Sequence, residues 1–163
     1  NDCHKALAEL ERMGKLKAVI TQNIDGLHQE AGSSCVLELH GSIRRSYCMD
    51  CHAFYDERFL QASEGVPHCT KCGGIVKPDV VLYEESLDAD VLDAAVRAIS
   101  AADLLIVGGT SLVVYPAAGL LRCFKGRRLV LINKTATKAD ESADLVIHDS
   151  LGKVFREAMA GLI

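Results

Sequence analysis

The sequence predicts an α/β fold in which a Rossmann-like parallel sheet carries an inserted small zinc-binding module. Short apolar runs typical of buried parallel strands alternate with helical stretches along most of the chain. Between them, residues 42–78 change in texture to cysteine, histidine, glycine and charged side chains. We therefore expect residues 1–41 and 79–163 to form the parallel domain, and residues 42–78 to form the zinc module.

Each element follows from a local signal. Asn1 or Asp2 can cap a first helix, and Gly14 supplies its left-handed stop. A longer helix over residues 88–100 places its apolar residues on one face. Strands are predicted at residues 18–20, 36–39, 80–82, 104–107, 129–132 and 145–147, and further helices at residues 27–31, after Pro116 and from about Gly152.

Composition narrows the possible partners. The 163 residues carry a formal net charge of −4 and no long run of Lys or Arg, so nucleic acid is not an expected partner. Residues 104–121 are uncharged, but their glycines and Pro116 favour a strand, a loop and a helix over a membrane span. The first residues lack the apolar stretch of a signal peptide, so we expect a cytoplasmic protein without a membrane partner.

Four of the seven cysteines stand in two tight pairs. Cys48 and Cys51 form the first pair, residues 52–68 follow, and Cys69 and Cys72 form the second. Two such pairs supply the four thiolates of a closed, structural zinc site. Four unrelated cysteines or a redox pair are the alternatives, but the spacing favours one zinc ion in a reducing compartment.

Polar residues follow four of the predicted strands. Because ligands of open α/β sheets bind at the carboxyl ends of the strands, these residues predict one extended polar crevice suited to a dinucleotide. They are Gln22, Asn23 and Asp25 after the first strand, His40 after the second, Thr110 and Ser111 after the fourth, and Asn133 after the fifth.

Two of these positions have an alternative interpretation. His40 can act as a general base, since imidazole exchanges protons near neutral pH, but it can equally be a structural histidine at a strand end. Residues 108–111 can hold an anion through backbone N–H groups and hydroxyls, but glycine after a strand is often only a turn.

Taken together, these segments resemble the sirtuin family. Residues 21–28 match its most recognisable motif, and residues 39–41 match the strand end that carries its catalytic histidine. The remaining matches are the two cysteine pairs, the substrate strand at residues 77–85, the second nucleotide segment at residues 109–112 with Val114 and Pro116, and the ribose-binding strand end at residues 132–134.

The resemblance implies a reaction in which an acylated lysine attacks the nicotinamide ribose of NAD, nicotinamide leaves, and the acyl group ends on ADP-ribose. It implies that His40 is the general base, that Asn23 also takes part in catalysis, and that Asp25 binds the carboxamide. The other implied NAD contacts are Gln22, Ile24, Gly109, Thr110, Ser111, Asn133, Lys134, Thr135 and Leu151. An acyl-lysine peptide is expected to add as a strand beside Val81, Leu82, Tyr83 and Glu84, and beside Leu112 and Val113.

This chain departs from the family pattern in two places. Tyr83, Glu84 and Glu85 stand where the substrate strand commonly reads F-G-E. The family's first strand and its G-A-G-I-S loop should precede Asn1, so we expect this chain alone to bind NAD poorly and turn over little. The alternative functions are a protein ADP-ribosyltransferase of the same fold and a non-catalytic zinc-containing binding fragment.

Overall fold

The computed structural model describes residues 1–112 and 117–162. Val113, Val114 and Pro116, which the sequence placed in the peptide and nucleotide segments, lie outside the described residues. The helices are α1 Asp2–Arg12, α2 Leu27–Glu30, α3 Glu57–Ala62, α4 Ala89–Ala101 and α5 Leu151–Ala160, with 3₁₀ helices at Ala117–Cys123 and Lys138–Ser142. The strands are β1 Val19–Thr21, β2 Val36–Glu38, β3 Gly41–Cys48, β4 Phe54–Asp56, β5 Val76–Val80, β6 Leu104–Gly108, β7 Arg128–Ile132 and β8 Leu145–Ile147.

The predicted fold class is confirmed, since parallel strands alternate with helices. The parallel strands form two sheets in the described part of the chain, where a single sheet was expected. β1 pairs with β2, and β6, β7 and β8 form a separate sheet with β7 in the centre. Helices pack on both faces of the sheet formed by β6, β7 and β8, which is the layered arrangement expected of an α/β domain.

Two apolar clusters hold the layers together. The first joins α4 and the 3₁₀ helix Ala117–Cys123 to β2, and its buried members are Leu39, Ala95, Ile99 and Leu120. The second joins α1 and α5 to β7, and its buried members are Cys3, Ala6, Ile132 and Phe155. The cap of α1 is Asn1, whose side chain accepts a hydrogen bond from the amide of His4 at 3.2 Å.

Within the described part of the uncharged segment at residues 104–121, β6 ends at Gly108 and a 3₁₀ helix begins at Ala117, so the segment is not one continuous helix. The helix predicted after Pro116 is a 3₁₀ helix, Ala117–Cys123. In the described residues, no helix combines the length and the apolar character that a bilayer crossing requires.

The inserted module is a three-stranded antiparallel sheet with β3 between β4 and β5. β3 was not predicted from the sequence, because the fully buried side chains of this strand are Ser42, Ser46 and Cys48 while Ile43 and Tyr47 are exposed. The expected parallel strand at residues 80–82 was wrong, since Val80 ends β5 and pairs with Gly41 in the antiparallel sheet. The division of the chain at residues 42 and 78 stays a prediction.

Leu131 in the central strand β7 tests how strongly the parallel sheet is packed. Its side chain is only 1% exposed. We expect Leu131→Ala to lower the free energy of unfolding by about 2–5 kcal/mol, because a cavity replaces buried apolar contacts. Leu162→Ala is the control, since Leu162 is 50% exposed, and it should change stability by less than about 0.5 kcal/mol. Urea unfolding followed by circular dichroism measures both, and equal effects would contradict this view of the core.

Candidate functional site

Hydrogen bonds connect the carboxyl ends of β2, β1, β6 and β7 in one line. The His40 ring Nδ1 lies 3.0 Å from the carbonyl oxygen of Gln22, and the Gln22 side-chain amide reaches the Thr110 hydroxyl at 3.5 Å, a long hydrogen bond. Asn133 then exchanges two hydrogen bonds with the Thr110 backbone, at 3.1 and 3.0 Å. The polar strand ends therefore lie along one edge, although the strands form two sheets.

The contact at His40 fixes which ring nitrogen can accept a proton. A carbonyl oxygen only accepts hydrogen bonds, so Nδ1 of His40 must carry the hydrogen that the Gln22 oxygen receives. In the neutral ring, Nε2 then holds the free lone pair. This is the tautomer that a general base acting through Nε2 requires.

Gly41 determines how the chain leaves His40. Its φ angle is +72°, and a Cβ at this position would overlap the carbonyl group of Asp79 in β5. A residue with a side chain would therefore push β5 away or twist the turn between β2 and β3. The amide of Val81 also donates to the His40 carbonyl oxygen at 3.1 Å. The end of β5 thus holds the His40 backbone at its carbonyl group and at the residue that follows.

Residues 22–26 form a loop between β1 and α2. The Asn23 amide donates to the Thr21 hydroxyl at 3.0 Å, and the Asp25 carboxylate accepts from the Leu27 amide at 3.0 Å, at the start of α2. Gly26 closes the loop with a φ angle of +70°. In this loop, Asn23 is exposed, and Ile24 and Asp25 are half-buried.

A cleft of about 1050 Å³ opens at the ends of β6 and β7. Its lining includes Leu112 of the expected peptide contacts and seven of the expected NAD contacts, namely Gly109, Thr110, Ser111, Asn133, Lys134, Thr135 and Leu151. Its volume is at the upper end of the range of about 300–1,000 Å³ for small-molecule sites. The described lining does not include His40 or residues 22–25, which lie on the β1–β2 side of the Gln22–Thr110 contact.

Glycines let Leu151 reach the floor of this cleft. A Cβ on Gly108 would overlap the Leu151 side chain, and a Cβ on Gly109 would approach its Cδ1 to 3.0 Å. Arg122, Lys138 and Ser150 also line the cleft, and the sequence did not single them out. Both cations stand in 3₁₀ helices without a recognisable motif, so only the folded chain shows that they face the site.

The four paired cysteines meet in the inserted module. Their Sγ atoms all lie within 4.8 Å of one another, and the Cys48–Cys72 and Cys51–Cys69 sulfur pairs are 3.4 and 3.5 Å apart. Zinc–sulfur bonds of about 2.3 Å in a tetrahedron place the sulfurs about 3.8 Å apart. The donor set therefore fits one structural zinc ion, and the cluster identified in the described residues includes neither His52 nor His68.

Each cysteine pair has the same backbone turn. The Cys48 carbonyl accepts from the His52 amide at 3.0 Å, and the Cys69 carbonyl accepts from the Gly73 amide at 2.9 Å. The φ angles of His52 and Gly73 are both positive, +56° and +80°. The His68 ring is held outside the cluster, with Nδ1 3.0 Å from the Gly73 carbonyl oxygen.

The neighbouring thiols in the cluster oppose the deprotonation of Cys72. The Tyr55 hydroxyl, which lies 3.1 Å from Cys69 Sγ, lowers the pKa of the Cys69 thiol to about 6. At Cys72, a backbone hydrogen bond from Gly74 lowers the pKa, but the neighbouring thiols outweigh it and raise the value to about 12. A bound Zn²⁺ removes this opposition, because thiols that coordinate zinc are deprotonated.

The predicted peptide segment turns after Val81. The Glu85 amide donates to the Leu82 carbonyl at 3.1 Å, and the Glu85 carboxylate accepts from the Leu82 amide and from Lys77 at 2.9 and 3.1 Å. Tyr83 at the tip is fully exposed. Glu84 has a φ angle of +71°, which explains why glycine suits this position in the F-G-E pattern. Leu112, on the other side of the expected peptide, also has a positive φ angle, +55°.

Comparisons with known proteins agree with this arrangement. The profile of the Sir2 family matches residues 1–116. An NAD-dependent protein deacetylase of Clostridium perfringens is 70% identical over 155 residues, which cover 94% of this chain and 64% of that protein. One of Clostridium acetobutylicum is 65% identical, with 94% and 63% covered. The chain thus spans slightly under two thirds of these relatives. A solved structure of Sir2 with a p53 peptide and NAD⁺ matches with a TM-score of 0.90 at 40% identity, covering 100% of this chain and 71% of that chain.

Replacing one cysteine tests the metal site. We expect Cys72→Ser to lose zinc and to unfold residues 42–78, because a structural zinc ion supplies much of the folding free energy of a small module. Cys35→Ser is the matched control, since Cys35 is exposed and lies outside the cluster. Metal analysis by mass spectrometry and hydrogen exchange measure the outcome. Stoichiometric zinc in the Cys72→Ser protein would contradict the assignment.

Asn133 tests the hydrogen-bonded line of strand ends. We expect Asn133→Asp to destabilise the fold by about 1–3 kcal/mol, because a carboxylate oxygen would face the Thr110 carbonyl where the amide NH₂ now donates. Asn1→Asp is the matched control, because either residue can cap α1. Urea unfolding compares the two variants, and an unchanged stability of Asn133→Asp would show that the pair contributes little.

Proposed function

The chain belongs to the Sir2 family, and from this premise we propose that it serves in the NAD-dependent removal of acyl groups from protein lysines. The observation that carries the proposal is His40, whose Nδ1 hydrogen bond to Gln22 leaves Nε2 as the proton acceptor at the edge of the polar strand ends. The relatives support the acyl-lysine substrate, since they are NAD-dependent protein deacetylases. The free cysteines favour a cytoplasmic location.

NAD supplies an activated ribose carbon, from which nicotinamide leaves when the oxygen of an acylated lysine attacks. Overall, acyl-lysine, NAD and water give lysine, nicotinamide and an O-acyl-ADP-ribose. His40 accepts a proton at Nε2 from a ribose hydroxyl, so that the oxygen of this hydroxyl can attack the acyl carbon. Nδ1 stays bonded to the Gln22 carbonyl, which keeps the ring oriented while the proton moves.

The remaining site residues bind and orient NAD and the acyl-lysine peptide. Gln22 and Asn23 hold the nicotinamide ribose and order a water molecule. Asp25 binds the carboxamide of nicotinamide, and Ile24 contacts the same end of NAD. The adenosine half occupies the cleft lined by Gly109, Thr110 and Ser111 and by Asn133, Lys134, Thr135 and Leu151. The acyl-lysine peptide lies beside residues 81–84 and Leu112, with Val113 as a further contact outside the described residues.

The zinc ion is structural in this proposal. All four positions around it are taken by Cys48, Cys51, Cys69 and Cys72, which leaves none for substrate or water. Its contribution is to fold the module that holds the His40 carbonyl and Gly41 through the end of β5. Catalysis is assigned to His40 and Asn23.

Mass spectrometry separates this function from its alternatives. The protein at its full natural length is incubated with NAD and an acetyl-lysine peptide. Loss of the acyl group supports a deacylase, and gain of ADP-ribose on the peptide or the protein supports an ADP-ribosyltransferase. Neither change would favour a non-catalytic binding role.

His40 provides the sharpest test of the mechanism. We expect His40→Ala to lower the deacylation rate by about 10²–10⁴-fold, the usual contribution of a general base, with NAD affinity changed little. His52→Asn is the control, because His52 is exposed and asparagine accepts its positive φ angle. Single-turnover rates and calorimetric NAD titration measure the two quantities. A His40→Ala protein with full activity would exclude His40 as the base.

A further inference from the structure

The strand β3 carries a bulge that faces the loop at residues 22–26. Ser42 pairs with Asp79 and Ser46 pairs with Pro78, so Ile43, Arg44 and Arg45 are three extra residues on the β3 side. Bulges of this kind redirect side chains and are frequent near functional sites. Here the Ile43 amide donates to the Ile24 carbonyl at 3.0 Å. The inserted module therefore contacts the loop at residues 22–26 directly.

Arg44, in the bulge, contacts the loop at two points and the helix α2 at a third. Its Nε donates to the Asp25 carbonyl oxygen at 3.2 Å, and its guanidinium forms an ion pair with Glu30 in α2. Its side chain also lies over Gly26, where a Cβ would overlap it. One arginine thus joins the backbone of Asp25, the turn at Gly26 and the helix that follows.

Arg45 anchors the same bulge to the strand that ends at His40. It donates to the Glu38 carboxylate at 2.6 Å and to the Asp79 carboxylate at 2.9 Å. The Glu38 side chain is only 7% exposed and also accepts from Gln29 at 2.8 Å. A carboxylate buried to this degree needs its partners, because an unpaired buried charge is costly. The base of the bulge is therefore fixed, and Arg44 projects from a rigid support.

We propose that Arg44 is a positioning residue for the nicotinamide end of the site, and that through it the bulge couples the zinc module to the loop at residues 22–26. The proposal rests on the proposed function for its catalytic consequence, since Asp25 and Asn23 are assigned to NAD there. Arg44 touches neither NAD nor peptide in this scheme. It fixes the position of the Asp25 backbone through the carbonyl oxygen. The Asp25 carboxylate in turn accepts a hydrogen bond from the Leu27 amide.

Steady-state kinetics of Arg44→Ala in the zinc-loaded protein at its full natural length test the proposal. The KM for NAD should rise about tenfold, the scale of one lost charge-assisted hydrogen bond, while the KM for the acylated peptide changes by less than about twofold. A merely structural role would lower kcat through a smaller active fraction and leave both KM values unchanged, which would overturn the proposal. Arg44→Lys should recover part of the loss, since lysine can reach the Asp25 carbonyl or Glu30 but lacks the guanidinium fork.

Arg128→Ala is the matched control. Arg128 also pairs with a carboxylate, Asp144, at 3.7 Å, but it begins β7 at the end opposite Asn133. Its removal should leave both KM values unchanged.

A second test uses Gly26→Ala, which displaces the Arg44 side chain in the parent protein but has no arginine to displace in Arg44→Ala. The two changes together should raise the KM for NAD by less than the product of their separate effects, and a full product would count against contact through Gly26.

Hydrogen exchange separates failure of this inference from failure of the proposed function. If the unmodified protein lacks deacylase activity, the proposed function fails, but the exchange of the Ile43 and Leu27 amides still reports on the loop. Arg44→Ala should speed exchange at both amides by about tenfold relative to Arg128→Ala, with zinc content unchanged. Equal exchange in the two variants would show that Arg44 does not position the loop.

Discussion

Glu38 lies at the junction of the parallel strands and the cysteine module, and its buried carboxylate must be paired there. Arg45 from β3 and Gln29 from α2 supply the partners. Arg45 also reaches Asp79 in β5, so one ion-pair group fixes β2, β3 and β5 together. Removing Arg45 would leave the Glu38 charge unpaired in a site with little water, and this requirement makes the relative position of these strands hard to change.

The position of His40 depends on this junction. Glu38 precedes it by two residues, and Gly41 after it fits only because it has no side chain to meet the Asp79 carbonyl. The β5 end also donates the Val81 amide to the His40 carbonyl. The Gln22 carbonyl therefore orients the imidazole, and the inserted module holds the backbone that carries it. A zinc-stabilised module far from any chemistry thus contributes to the geometry of the proposed base.

Much of the site could be predicted from sequence because its signals are local. The cysteine spacing predicted the four-sulfur cluster, and polar residues directly after apolar runs predicted the strand ends that the hydrogen bonds connect. β3 was missed because small polar residues occupy its buried face, which reverses the usual alternation of apolar and polar residues. The pairing of Arg45 with Glu38 depends on a bulge in β3, for which the sequence contains no recognisable pattern.

The turn at residues 82–85 extends the same dependence to the proposed peptide side. Glu84 has a left-handed backbone, which costs a residue with a side chain about 1–2 kcal/mol and costs glycine little. Glu85 opposes this cost, because its carboxylate accepts the Leu82 amide and pairs with Lys77 of β5. The Leu82 hydrogen bond first and then Lys77 lower the pKa of Glu85, so the carboxylate that closes the turn keeps its charge to a lower pH than an ordinary glutamate does. Since Lys77 belongs to the strand that leads out of the zinc module, the module holds the peptide segment as well as His40, and the chain can keep glutamate where the family pattern has glycine.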